Sequence, residues 1–138
     1  MESFIIRALV RLPNGKIISF ILSNHLEHNK VSQGVVDMLL QSEQIIIDED
    51  HAFVEFEKPF ISPIGHKFKY FDRAWADIVM TPALFIEVGR SWLQEWCVEY
   101  DREIHKCMLR PPHFKDHFYF ADELHSTIAL HAFVPIVP

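Results

Sequence analysis

Ser91-Trp92-Leu93-Gln94-Glu95-Trp96-Cys97-Val98-Glu99-Tyr100-Asp101-Arg102-Glu103-Ile104-His105-Lys106-Cys107-Met108 is the stretch on which the fold turns. At about 100° per residue, Trp92, Trp96, Cys107, Tyr100, Leu93, Ile104, Cys97 and Met108 fall on one apolar arc of roughly 160°, with Gln94, Glu95, Asp101, Arg102, His105 and Lys106 opposite. Ser91 and Gln94 match an S-x-x-Q capping box, and Arg110-Pro111-Pro112 supplies a basic last turn and a stop. The pattern predicts one long amphipathic helix over about residues 92–109. Glu103 then projects between Trp92 and Trp96, with Glu99 one turn before it. A carboxylate against indole rings is a candidate polar handle or general acid. The alternative is that Glu103 turns out to water or pairs with Arg7, Arg73 or Arg110.

Working outward, Ser3–Arg11 and Lys16–Leu22 are β-rich runs separated by Leu12-Pro13-Asn14-Gly15, which predicts a hairpin with a type I′ turn at Asn14-Gly15. Phe4, Ile6, Ala8 and Val10 form its core-facing file. Residues 31–41 carry Val31, Val35, Met38 and Leu39 at helical spacing and predict a shorter helix. Ile45-Ile46-Ile47, the acidic turn Asp48-Glu49-Asp50 and Ala52–Glu57 read as a second hairpin, with Ala52, Val54 and Phe56 inward and Phe53, Glu55 and Glu57 outward. Between Lys58 and Gly89 no assignment is unique. His66–Phe71 alternates as a strand would, and Leu84–Val88 reads equally as a strand or as a helix opened by Thr81-Pro82. The stretch from His117 to Val134 is aromatic and β-branched enough for one or two strands. The expected architecture is a single α+β domain over residues 1–138, a mostly antiparallel sheet of hairpins packed against the long helix and the shorter one.

Composition narrows the function classes. The chain has 138 residues, 49% of them apolar, with twelve Phe and four Gly, enough for a substantial core. Its formal charge is −6 and no run of Lys or Arg exceeds two residues, so nucleic acid is an unexpected partner. No apolar run reaches the ~18 residues of a membrane span, and Arg7 and Arg11 interrupt the N-terminal apolar stretch, which excludes a signal-peptide core. Cys97 and Cys107 would lie about 15 Å apart on the helix, beyond disulfide reach, as expected of reduced thiols in a cytoplasmic protein.

Motifs with attached chemistry are few. Cys97, Cys107, His113 and His117 are zinc-ligand residue types, but the long helix would hold the two thiols too far apart for a four-ligand site. His113 and His117 alone leave a two-ligand site open, and no metal is assigned. His125-Ser126-Thr127-Ile128 resembles the H-x-T-hydrophobic signature of the two-histidine phosphoesterases, whose chemistry requires a second copy that this chain lacks. There is no glycine-rich phosphate loop, H-E-x-x-H or nucleophile elbow, so no cofactor is expected. Two readings remain. The first is a non-enzymatic cytoplasmic protein-binding module of inhibitor, immunity or adaptor type, engaging a basic partner through Asp48, Glu49, Asp50, Glu55 and Glu57 and embedded aromatics. The second is a small-molecule-binding or weakly hydrolytic domain, with a pocket between long helix and sheet lined by Trp92, Trp96 and Phe residues, Glu103 as its polar handle and Glu99 bordering the same edge.

Overall fold

A computed structural model describes residues 5–101, 103 and 106–120. Ten strands and two helices follow one another as β1 (Ile5–Arg11), β2 (Ile17–Ser23), β3 (Lys30–Ser32), α1 (Gln33–Gln41), β4 (Ile46–Asp48), β5 (His51–Ile61), β6 (Lys67–Val79), β7 (Phe85–Val88), α2 (Arg90–Glu95), β8 (Glu99–Asp101), β9 (Lys106–Leu109) and β10 (Phe118–Phe120). Six of them, in the order β1-β2-β7-β3-β6-β5, close into a mixed barrel through a pairing of β1 with β5. The pairs β2–β7 and β3–β6 are parallel, and the other barrel pairs are antiparallel. Beyond β5 the sheet continues through β10, β9 and β8, while β4 flanks the start of β5.

The expected sheet packed on a long helix is therefore overturned: the fold is mostly strand, with two short helices. Helix α2 stops at Glu95 because the chain closes a Schellman turn there, with Val98 N–H donating to Leu93 C=O at 2.9 Å and Cys97 N–H to Gln94 C=O at 3.1 Å. Cys97 takes the left-handed conformation, φ 49°, that this turn requires. What reads as one helical arc is two periods in succession. Trp92, Leu93 and Trp96 are buried at helical spacing, whereas Cys107 and Leu109 are buried at the two-residue spacing of β9. The Val98–Tyr100 run favours the extended state, and β8–β9–β10 pairing satisfies its backbone. Nor does the capping box operate. The N-cap is Gly89, without a side-chain cap, and Ser91 lies inside the first turn.

The shorter helix forms as Gln33–Gln41, capped by the Ser32 hydroxyl, which accepts from Val35 N–H at 3.3 Å. Gly34 is required where the Pro82–Ala83 backbone crosses it, since a Cβ there would sit 2.4 Å from Pro82 O. The first hairpin forms in the expected place with a different turn. Leu12 N–H donates to Lys16 C=O and Gly15 N–H to Leu12 C=O, and of Asn14 and Gly15 only Gly15 has positive φ, which makes a three-residue loop with a glycine bulge. Pro13, locked near −65°, sits at the position that favours a type I start over a type I′ one. The acidic hairpin also forms, with Asp48 opposite His51.

Alternation fills the barrel. Ile6, Ala8 and Val10 of β1, Ile18, Phe20 and Leu22 of β2, and Ala52, Val54, Phe56 and Phe60 of β5 are buried, as six-stranded closure demands of inward positions. Lys58 shares that inward file and is fully buried, its Nζ donating to the Leu9 carbonyl of β1 at 2.8 Å. Phe4 and residues 121–138, including His125 and His131, lie outside the described residues.

Because a non-glycine residue pays a steric penalty at positive φ, Cys97→Gly is expected to stabilise the protein by about 0.5–1 kcal/mol, the relief exceeding the added chain entropy. Thermal melts that rise by roughly 2–5 °C would bear this out, and an unchanged or lower midpoint would refute it.

Candidate binding surface

The longest ribbon in the fold, β5 paired with β6 over His51–Ile61 and Lys67–Asp77, has one face in the barrel and one toward solvent. Sequence alternation decides which residue goes where. Phe68, Tyr70, Asp72, Ala74 and Ala76 share the inward file of β6, and Phe71, Arg73, Trp75 and Asp77 the outward one.

On the inward side, Asp72 Oδ2 accepts the indole N–H of both Trp92 and Trp96, each at 2.9 Å, while its Oδ1 accepts Arg73 N–H at 2.8 Å. The two indoles stack at 4.5 Å between centroids and 17° between planes. Trp92 meets Phe20 edge-on, and Trp96 meets Phe60 and Tyr70 the same way. Both tryptophans are buried, so the carboxylate that clamps two indoles belongs to Asp72 and not to Glu103. Glu103 is exposed in the turn after β8, its N–H bonded to Asp101 Oδ1, and Glu99 is exposed on β8. Without a helix beyond Glu95, nothing carries either of them to the tryptophan edge. In place of the pocket expected beneath Trp92 and Trp96, the rings of Phe20, Phe60 and Tyr70 contact the indoles. A second aromatic cluster packs at the junction of barrel and extension, where Phe60 contacts Phe68, Phe114 and Phe118. Burial beside Trp96 and Phe114, and then the carboxylates of Asp72 and Glu95, push the Tyr70 phenol above its ordinary value of 10.0.

On the outward side the ribbon presents Phe71, 78% exposed, and Trp75, 49% exposed. Trp75 leans on Phe53 at 5.1 Å, and the Arg73 guanidinium lies 6.0 Å from the Phe53 ring centre. Phe71 borders two hollows. One, of about 450 Å³, is bounded by Glu55, Tyr70, Asp72 and Arg73, and the other, of about 210 Å³, by Arg11, Leu12, Phe56 and Glu57. The acids expected as one rim divide. Asp48, Glu49 and Asp50 stand exposed at the β4–β5 tip, with Glu49 at φ 55°. Glu55 stands opposite Arg73, and Glu57 is mostly covered and bridged to Arg11 at 3.5 Å and to Lys69 at 3.9 Å. The face is therefore a mixed-charge surface around an aromatic centre, with net negative charge at one end. Cys97 and Cys107 are free thiols. With the long helix gone, helical geometry no longer holds the two thiols too far apart for a four-ligand site. Among the described residues, however, no three His, Cys, Asp or Glu side chains are grouped to hold a metal ion.

Two signals would have located this surface. Counting by two along β6 puts a lone acid, Asp72, in an otherwise apolar file, and Ser62-Pro63-Ile64-Gly65-His66 repeats the x-P-x-G-x spacing of the first hairpin. No protein-family model matches the chain, and no curated protein matches it in sequence. No helix among the described residues is long and apolar enough to cross a membrane.

Asp72→Asn leaves one oxygen where two now serve three N–H donors, and turns an NH2 toward either the indoles or Arg73 N–H. A loss of about 2–3 kcal/mol in denaturant unfolding is expected, with a reduced near-ultraviolet tryptophan signal, and a variant as stable as the parent would refute the clamp. Tyr70, raised in the folded state, stabilises fully below pH 10.0 and loses that contribution as pH climbs from 10.0 through the folded value. Tyr70→Phe should flatten the fall of the denaturant midpoint between about pH 9 and 11, and an unchanged slope would exclude Tyr70 as its source.

Proposed function

We propose that this protein is a non-enzymatic protein-binding module of inhibitor, immunity or adaptor type, which engages a basic partner through the outer face of the β5–β6 ribbon and the acidic β4–β5 tip. The observation that carries the reading is the contrast between the ribbon's two faces. On the tryptophan side Trp92 and Trp96 are buried against Phe20, Phe60 and Tyr70, whereas Phe71, beside two hollows, and Trp75 project into water among charged side chains. Large aromatics held exposed within a polar rim are typical interface anchors. The chain's charge of −6 and the three acids at the tip favour a basic partner and faster encounter with it. The free thiols accord with a reducing, cytoplasmic setting.

Capture from a lysate of the native host, with wild type against Phe71→Ser and against Asp48→Asn/Glu49→Gln/Asp50→Asn, tests the reading. A basic protein retained by wild type should be lost with Phe71→Ser, since an anchor aromatic contributes about 2 kcal/mol or more. The tip variant should weaken capture most at low salt, because screening at ~0.5 M removes most of the same contribution. A captured set identical for all three proteins, or one without basic members, would overturn the proposal.

A further inference from the structure

A third hollow, of about 430 Å³, lies at the far end of the same ribbon, bounded by Glu27, His28, His51, Trp75, Asp77 and Ser91. Asn29 builds it. Its Nδ2 donates to Trp75 C=O at 3.2 Å, its Oδ1 accepts Gly89 N–H at 2.9 Å, and its own carbonyl accepts Asp77 N–H at 2.8 Å, so one residue ties the β2–β3 loop to β6 and to the entry of α2. Leu26 pins the loop a second time by accepting Arg90 N–H at 2.9 Å, and the loop packs so closely on Gly89 that a Cβ there would sit 2.7 Å from Leu26 O. Glu27 and His28, between these two anchors, are held at the rim. Across the hollow His51 Nε2 meets Asp77 Oδ1 at 3.0 Å and orients that carboxylate.

The chemistry of the lining selects a ligand class. Two carboxylates, of which Asp77 is bonded to His51 through one oxygen only, the imidazoles of His28 and His51 and a half-exposed indole line the hollow, and among the described residues no lysine or arginine does. A cation is the complement. A planar guanidinium fits better than an ammonium because it stacks on an indole while its N–H fork meets carboxylate oxygens. The same face already holds one guanidinium against a ring, Arg73 over Phe53. Trp75 belongs both to this hollow and to the exposed aromatic centre, so an occupant here is continuous with a partner lying on the ribbon. We infer that this hollow is a preformed receptor for one arginine side chain of the basic partner, an inference that rests on the protein-binding reading and names the group recognised.

The test is a titration of 15N-labelled protein with N-acetyl-arginine methylamide and, separately, N-acetyl-lysine methylamide, following the three indole N–H signals. The Trp75 signal should shift and saturate in roughly the millimolar range expected of a single side chain, while those of Trp92 and Trp96, bonded to Asp72, stay in place. Glu27→Gln and Asp77→Asn should each weaken binding by about fivefold, the scale of one exposed charge pair, with the rest of the spectrum unchanged, and the lysine probe should bind about threefold more weakly or worse. A Trp75 shift that stays linear, that saturates alike in both variants, or that is equal for the two probes would overturn the receptor. A partner captured through Phe71 but indifferent to Glu27→Gln and Asp77→Asn would also overturn it while leaving the protein-binding module standing. Specific arginine binding without any captured partner would do the reverse.

Discussion

Closure of the barrel depends on a seam narrower than any other in the sheet. Strands β1 and β5 share one residue pair, Arg11 opposite Glu57, against seven pairs between β1 and β2. Side chains supplement the backbone there: Arg11 bridges Glu57 on the outside, and Lys58 reaches from the inward file to the Leu9 carbonyl. The bond to Leu9 offsets part of the desolvation cost of an ammonium in the file of Val54, Phe56 and Phe60. A long flexible donor can reach a carbonyl just past the end of a ladder where a backbone N–H cannot. Pro59, without an N–H to offer, occupies the gap in the edge of β5 between the pairing of β1 at Glu57 and that of β10 at Phe60. One edge of β5 thus serves β4, β1 and β10 in turn.

Local turn chemistry and two-residue alternation made part of this architecture legible. The Asn14-Gly15 hairpin, the acidic hairpin, the 33–41 helix and the inward files of β1 and β5 all carry their own signals within a few residues. The Ser62–His66 turn carried one too, as a copy of the first turn with Ile64 in place of Asn14, and its recognition would have set β5 against β6. The parallel pairs β2–β7 and β3–β6 had no such signature, because their partners lie more than forty residues apart in sequence and no intervening helix of ordinary βαβ length announces them. The long helix failed for a different reason. A hydrophobic arc is read from spacing alone, and residues 92–109 satisfy helical spacing by joining a short helix to a strand whose buried positions fall on the same side of the count. Cys97 at positive φ, the pivot between the two periods, has none of the glycine or asparagine character that marks such a turn.

The candidate surface inherits its rigidity from the opposite side of the same strand. Phe71 and Arg73 point outward on either side of Asp72, which points inward and holds the indoles of Trp92 in α2 and of Trp96 at its C-cap. An exposed aromatic on a ribbon that flexes must be ordered when a partner binds, and that ordering subtracts from affinity. The three hydrogen bonds of Asp72 restrain the backbone between Phe71 and Arg73, which lowers the ordering cost that the proposed contact would carry. The clamp is also why an acid and two tryptophans form one energetic unit. Two buried indole N–H groups without an acceptor would each carry a desolvation cost, and an inward carboxylate without donors would carry a larger one. None of the three residues is favourable in its position alone. Their energies therefore do not add, and a sequence change at any one of them alters the value of the other two.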